Sequence, residues 1–141
     1  MRVDDLPGVR DLALQLGYGA PLERLQARFA RILQRPEQAL FVATRGGQVA
    51  GWLHAQSQHP LESDPYVEIT GLVVAEDARR RGLGRALVER ARSWALDLGY
   101  TALGVSSNVQ RLEAHRFYPA LGFRITKTQH TYTLEASRRG P

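Results

Sequence analysis

The sequence contains no cysteine, a single lysine and no long hydrophobic run. Without cysteine there can be no disulfides, no thiolate metal sites and no cysteine nucleophile. No segment approaches the roughly 18 consecutive apolar residues of a membrane-spanning helix, so we expect no membrane partner. The N-terminal stretch MRVDDLPGVRD is polar and carries acids, which does not fit a signal peptide. These absences predict a cytoplasmic globular protein that uses no metal ion.

The chain has 141 residues, enough for one domain with a buried core. We therefore expect a single domain over 1–141, with a frayed tail at 136–141. The formal net charge is +5, and arginine supplies nearly all of the positive charge because Lys127 is the only lysine. Arginine binds phosphates through a planar fork, so this excess fits nucleic acid or a small phosphorylated ligand. The densest cluster lies beside glycines, without a basic stripe and interleaved aromatics, and this favours a compact phosphate site and no nucleic acid.

Periodicity and turn residues predict alternating helices and strands. The predicted helices run from Asp5 to Leu16, Pro21 to Arg35, Gly82 to Leu98 and Glu113 to Leu121. The predicted strands are Leu40 to Thr44, Val49 to Ala55, Tyr66 to Val74, Thr101 to Ser106, Phe123 to Thr128 and His130 to Glu135. This order predicts an α/β fold in which a mixed sheet carries helices on its faces.

The strongest local signal is the junction between the third strand and the third helix. The strand ends at Val74, a basic turn follows, and the helix begins at Gly82-Leu83-Gly84. The first amide groups of a helix have no partner inside it and point outward with the positive end of the helix dipole. Glycine lets an anion approach the backbone closely. The junction therefore predicts a site for a pyrophosphate group.

Two segments of the chain resemble the signatures of the GNAT superfamily of N-acetyltransferases. Arg79-x-x-Gly82-x-Gly84 is similar to its R/Q-x-x-G-x-G/A signature. The stretch from Asn108 through Phe117-Tyr118 to Gly122-Phe123 resembles its second signature, N…A-x-x-F-Y-x-x-x-G-F. The order of elements also agrees from about Leu6 to Glu135. One departure is Glu76, where many members carry proline.

The resemblance implies a mixed, mostly antiparallel sheet with helices on both faces. Its third and fourth predicted strands, the family's fourth and fifth, would be parallel and splayed into a cleft. The family's first strand would have to lie within Met1 to Asp4. The resemblance implies acetyl-CoA as co-substrate. Its pyrophosphate would bind the backbone amides of 81–85, and its pantetheine arm would pair with the backbone of the third strand. Asn108 would help to position it. The predicted cofactor-binding residues are Leu72, Val73, Val74, Arg79, Arg80, Arg81, Gly82, Leu83, Gly84, Arg85 and Asn108.

Acetyl transfer to an amine needs a base, a donor for the oxyanion and an acid for the departing thiolate. The resemblance places Tyr118 beside the sulfur, and tyrosine, with an ordinary pKa of about 10, can protonate a thiolate. The alternative interpretation is that Tyr118 packs on the inner face of its helix, and this packing is compatible with the chemical role. The oxyanion donor is expected to be the amide of Val73 or Val74.

Glu68 is the candidate base, acting through a water molecule. It stands between Val67 and Ile69 and so faces the opposite side of the sheet. It equally fits an exposed strand acid, and His54 and His115 are weaker alternatives. The loop before the third strand carries Glu62 and Asp64, which suit a cationic amine but equally suit a solvated loop.

We expect a small-molecule amine as acceptor, since the short chain leaves few insertions for recognising a large partner. A peptide amine remains open. So do a nucleic-acid-binding module and a CoA-binding module without catalysis. Because many family members pair through their C-terminal strands, the resemblance also implies a possible homodimer.

Overall fold

The computed structural model describes residues 1–15, 17, 19–79, 81–106 and 112–137. The chain divides into two compact units, Met1–Ser106 and Ser107–Pro141. Within the described residues, the first unit holds a four-stranded sheet with three α-helices, and the second holds one α-helix.

The elements follow the predicted order closely as far as the last helix. The α-helices are α1 (Leu6–Gln15), α2 (Leu22–Leu33), α3 (Leu83–Asp97) and α4 (Leu112–Ala120). The strands are β1 (Gln38–Arg45), β2 (Gln48–Gln58), β3 (Tyr66–Val74) and β4 (Leu103–Val105). Short 3₁₀ turns occupy Val3–Asp5 and Glu76–Ala78.

The sheet has the order β1-β2-β3-β4. β1 and β2 are antiparallel and joined at Gly46-Gly47, whose φ angles of 58° and 79° suit a tight hairpin turn. β2 and β3 are also antiparallel, whereas β3 and β4 are parallel. A bulge interrupts the β2–β3 register between His54 and Ala55. The strands therefore form the expected mixed sheet with one parallel pair.

One face of the sheet is covered by α3. The core residues on this face, Leu53, Ala55 and Val67, are 0% exposed. A Cβ added at Gly51 would lie 3.2 Å from the Leu87 side chain of α3, so glycine allows this close approach. At the edge of the same face the Arg90 guanidinium lies 5.1 Å from the centre of the Phe41 ring.

The opposite face packs against α1 toward the β1–β2 hairpin. Leu12 of α1 belongs to a buried cluster with Ala50, and Trp52 and Val73 pack against that cluster. α2 contacts α1 and β1 and buries Phe29. Helices thus lie on both faces, which confirms the predicted fold class.

The second unit differs from the sequence-based prediction after α4. The structure contains no strand within 121–137, so the predicted pair Phe123–Thr128 and His130–Glu135 is wrong for these residues. The alternating apolar side chains there are exposed, with Ile125 at 85%, Tyr132 at 90% and Leu134 at 91%. Alternation indicates a strand only where a second strand supplies backbone partners and a surface covers one face.

The N-terminus also lacks the short strand that the family resemblance implies. Met1 and Arg2 have no regular structure, and the 3₁₀ turn begins at Val3. The Met1 ammonium group donates a hydrogen bond to the Leu40 carbonyl at 3.2 Å. The N-terminal residues thus contact β1 without forming a regular strand.

Candidate active site

β3 continues well beyond the region where it pairs with β4. The parallel pairing joins only Val67, Ile69 and the residue between them to Leu103–Val105. From Thr70 to Val74, β3 has no strand neighbour on this side within the described residues. Within the described residues, β3 therefore has an open edge beyond Ile69, whereas the predicted splay stays a prediction because residues 107–111 lie outside the described residues.

Backbone groups on this open edge can be assigned from two hydrogen bonds. The Ala75 amide donates to the Ala50 carbonyl at 2.7 Å, so residue 75 points toward β2. The Val74 carbonyl instead accepts from Arg79 Nε at 3.4 Å, on the other side. Since successive residues of a strand point to opposite edges, Leu72 and Val74 present their amides and carbonyls to the open edge, and Val73 pairs with Trp52.

The N-terminus of α3 supplies a second set of unpaired amides. The first turn closes with a bond of 2.9 Å from the Ala86 amide to the Gly82 carbonyl, which leaves the amides of Leu83, Gly84 and Arg85 without partners inside the helix. The N-cap residue of the helix is Gly82, which has no side chain that could cap this end. Gly82 has a φ of 80°, a conformation that glycine adopts without strain. These features fit a pyrophosphate group.

The arginine side chains surround this turn on the solvent side. Arg79, Arg81 and Arg85 are exposed, and Arg79 also contacts the Val74 carbonyl. Arg80 lies outside the described residues. Exposed guanidinium groups add positive charge near the helix dipole, while the amides offer directed hydrogen bonds.

Polar residues form a row across the sheet face that carries Glu68. Cross-strand register places Gln38 opposite Gln56, Gln56 opposite Glu68, and Glu68 opposite Gly104. All three polar residues are partly exposed, whereas Val67 and Ile69 are buried on the α3 face. The prediction that Glu68 faces away from its neighbours is therefore confirmed. The polar row ends at Glu68, because its β4 neighbour Gly104 has no side chain.

His54 adjoins this row on the same face. It lies opposite Gly71 of β3, and its Nε2 is 2.8 Å from Gln38 Oε1. Because the amide oxygen can only accept, Nε2 carries the hydrogen and Nδ1 is left with a lone pair in the neutral ring. Partial burial lowers the pKa of His54 below its usual 6.5, since desolvation disfavours the charged form. Burial thus favours the neutral form of the imidazole.

The pairing of Gln38 with His54 and the placement of Gln56 were missed by sequence reasoning. One signal was available, because Trp52, His54, Gln56 and Gln58 alternate along β2 and must share a face. The partner Gln38 could not be found this way, since it depends on the register between β1 and β2.

Trp52 marks the apolar end of this face. A Cβ at Gly71 would lie 2.7 Å from the Trp52 ring, so position 71 must be glycine for the ring to lie there. The Trp52 indole Nε1 is buried and has no hydrogen-bond partner among the described residues. The face thus passes from an indole ring at Trp52 through His54 to the polar row.

The loop before β3 is the predicted acceptor loop, and its acids Glu62 and Asp64 are exposed. The start of the loop is fixed by His59, whose Nε2 lies 3.2 Å from Ser57 Oγ and 3.1 Å from the Tyr100 hydroxyl. These contacts tie the loop to the connection between α3 and β4 and do not involve either acid.

Tyr118 and Asn108 belong to the second unit. Tyr118 is half-buried, and its ring lies edge-on to Phe117 and Phe123, with centroid distances of 5.1 and 5.5 Å. The Phe123 amide donates to the Tyr118 carbonyl at 3.1 Å. Tyr118 therefore packs against Phe117 and Phe123. Its role as the acid that protonates the thiolate stays a prediction. Asn108 lies outside the described residues, and His115 is exposed on α4.

Comparison with known proteins identifies the family. The sequence profile of the Acetyltransferase (GNAT) family matches residues 7–123. The chain is 34% identical over 101 residues to the N-acetylaspartate synthetase of Danio rerio, covering 72% of this chain but 35% of that protein. It is 27% identical over 122 residues to an aminoglycoside N(6')-acetyltransferase type 1 of Salmonella typhimurium, covering 84% of each.

A similar solved structure is the aminoglycoside N-acetyltransferase AAC(6')-Iy in complex with CoA. It superimposes with a TM-score of 0.86 at 26% identity, covering 96% of this chain and 92% of that one. The chain belongs to the GNAT family of acetyltransferases. It is an enzyme of the class that takes acetyl-CoA as co-substrate. The unpaired amides of α3 and the open edge of β3 are the groups that fit this ligand.

The described part of the chain also lacks two kinds of feature. No helix there is long and apolar enough to cross a membrane. Nor do its histidine, aspartate and glutamate side chains form a group of three or more that could hold a metal ion.

Proposed function

We propose that this enzyme transfers the acetyl group of acetyl-CoA to a primary amine of a small molecule, by direct attack within a ternary complex. The observation that supports this most strongly is the position of Glu68. It lies on β3 where the parallel pairing with β4 ends, two residues before the open edge begins. An acceptor on this face would meet an acetyl donor held along the same strand.

Backbone groups would make the main contacts with the cofactor, and arginine side chains would supplement them. The amides of Leu83, Gly84 and Arg85 would bind the pyrophosphate, with Arg79 to Arg81 adding charge. Leu72 would pair with the pantetheine arm through its amide and carbonyl, and Val74 through its carbonyl alone, as an added strand would. When bound, acetyl-CoA supplies a thioester carbonyl as the acetyl donor. Asn108 is carried over from the family signature as a further cofactor contact.

Glu68 would accept the proton of the acceptor ammonium, directly or through one water. The amine lone pair then attacks the thioester carbonyl, a C–N bond forms and the C–S bond breaks. The Val74 amide faces the open edge and would donate to the oxyanion, in preference to Val73, which pairs with β2. By family resemblance, the Tyr118 hydroxyl would protonate the departing thiolate.

The names of the relatives favour a small acceptor. One relative is named for N-acetylaspartate, the N-acetyl derivative of a small amine, and another for aminoglycosides, which are small molecules with amines. A peptide amine would need an extended groove, and the exposed loop with Glu62 and Asp64 is short. A small-molecule amine therefore remains the favoured acceptor.

The decisive experiment measures thiol release from acetyl-CoA with a panel of small amines and a peptide. We expect turnover with small amines, and a fall of about 100-fold in kcat for Glu68→Gln and for Tyr118→Phe, with KM for acetyl-CoA unchanged. Glu68→Asp, which keeps a carboxylate, should retain more activity than Glu68→Gln. Unchanged turnover in either variant would remove that residue from the chemistry.

Absence of acetyl-CoA binding would overturn the proposed function itself. The same samples distinguish the competing classes of function. A nucleic-acid module would bind oligonucleotides with an affinity that falls steeply with salt, and a regulatory CoA-binding module would bind acetyl-CoA without releasing thiol.

A further inference from the structure

The sheet face beside the proposed acetyl-transfer site carries a neutral, oriented hydrogen-bond acceptor. His54 donates from Nε2 to Gln38 at 2.8 Å, which fixes the ring and its tautomer. No described residue forms a hydrogen bond with Nδ1. The ring lies on the same face as Glu68 but in the neighbouring row, opposite Gly71, where the Trp52 ring occupies the space of a side chain.

The groups around His54 match hydroxyls better than anions. Gln38, Gln56 and Glu68 form the adjoining row, so this surface offers amides and one carboxylate. Arg45 is the sole lysine or arginine within the four described strands. It stands seven residues along β1 from Gln38, about 23 Å at the rise of a strand, and cannot reach the row.

From this arrangement we propose that His54 is an acceptor-binding residue that selects a hydroxylated amine. His54 Nδ1 accepts a hydrogen bond from a hydroxyl of the substrate amine. This hydroxyl lies next to the ammonium group from which Glu68 takes a proton. Gln38 is a positioning residue, because it holds the ring without touching the acceptor. This inference rests on the proposed function, since it assigns the acceptor class of the same site.

A hydroxyl is the best match for Nδ1 on chemical grounds. It can donate to Nδ1 and still accept from an amide of Gln56, whereas a carboxylate has no hydrogen to donate. A carboxylate would also meet the negative charge of Glu68. An apolar group would leave Nδ1 of the partly buried ring without a partner, which costs binding energy.

The test compares two acceptors with the same aminomethyl group on a six-membered ring. The probes are 6-amino-6-deoxyglucose, which carries ring hydroxyls, and aminomethylcyclohexane, which carries none. We expect wild-type enzyme to show the lower KM for the amino sugar. His54→Phe should raise that KM about tenfold and leave the KM of aminomethylcyclohexane and of acetyl-CoA unchanged.

Two further variants separate the hydrogen bond from a general effect on folding. His54→Asn keeps an amide oxygen near the Nδ1 position and should retain most of the preference for the amino sugar. Gln38→Leu frees the ring and should raise the KM for the amino sugar alone, by less than His54→Phe does. Unchanged KM for acetyl-CoA shows in each case that the fold is intact.

The outcomes distinguish this inference from the proposed function. Equal changes in KM for both acceptors, or no change in either, would overturn the role of His54 while thiol release continued to support acetyl transfer. If wild-type enzyme released no thiol with any amine, the proposed function would fail and this inference with it.

Discussion

Gly82 shows how one residue shapes the cofactor site. Its φ of 80° starts α3 so that the next three amides point away from the helix, and a Cβ there would meet nothing within 4 Å. Alanine would therefore be opposed by backbone strain alone, about 1 kcal/mol. We expect Gly82→Ala to raise the KM for acetyl-CoA about five- to tenfold, as measured by steady-state thiol release.

Gly99 provides a matched control at the other end of the same helix. It has a φ of 90° and equally open space around a Cβ. Gly99→Ala should lower the free energy of unfolding by about the same 1 kcal/mol without changing the KM for acetyl-CoA. Equal KM changes in both variants would mean that strain in α3, and not the geometry of its first turn, weakens the site.

Individual side chains differ in how far the sequence could place them. The orientation of Glu68 follows from its neighbours Val67 and Ile69, because alternation along one strand is a local property. The contact between His54 and Gln38 joins two strands, and its existence depends on a register that includes a bulge in β2. A local pattern contains no information about such a register.

At the scale of the element, the open edge of β3 makes a specific prediction about Val74. Its amide faces away from β2, so proline at this position removes no bond of the sheet. We expect Val74→Pro to weaken acetyl-CoA binding about tenfold in calorimetry while the fold persists. Val74→Ala keeps the amide and loses the side chain, so it should bind acetyl-CoA nearly as wild type does.

The neighbouring residue gives the opposite expectation. Val73 pairs with Trp52, so Val73→Pro would remove a hydrogen bond within the sheet and should lower the midpoint of thermal unfolding. If Val74→Pro destabilised the protein as much as Val73→Pro, the assignment of Val74 to the open edge would be wrong.

Whole elements were predicted well where each one carries its own signal. Gly46-Gly47 fixed the β1–β2 hairpin, and α3 ends before Gly99, whose φ is positive, as expected. The final strand pair failed because residues 123–135 have strand-like alternation but no strand partner among the described residues. Strand formation depends on a neighbour, whereas a helix satisfies its own backbone.

At the scale of the whole molecule, charge is distributed unevenly. The chain has 19 basic residues, yet the four described strands contain only Arg45. The other described basic residues lie outside the strands, on helices and in connecting or terminal segments. Apart from Arg45, the strands thus carry neutral groups and Glu68, and Arg79, Arg81 and Arg85 lie where the phosphates would bind.

The exposed apolar side chains of 121–137 lead to a prediction about assembly. Ile125, Tyr132 and Leu134 are each at least 85% exposed, on a segment whose backbone forms no strand. Such a segment can pair with the same segment of a second copy and bury both apolar sets. We expect light scattering to give a homodimer, twice the monomer mass of 15.7 kDa, at micromolar concentration.

Charged substitutions test which residues form this interface. Tyr132→Lys combined with Leu134→Lys should yield a monomer, because two buried ammonium groups would be too costly at a paired surface. Leu61→Lys is the matched control, since Leu61 is fully exposed on the loop before β3 and should leave the dimer intact. A wild-type protein that stayed monomeric at high concentration would contradict the predicted dimer. A dimer that survived the double substitution would place the interface elsewhere on the molecule.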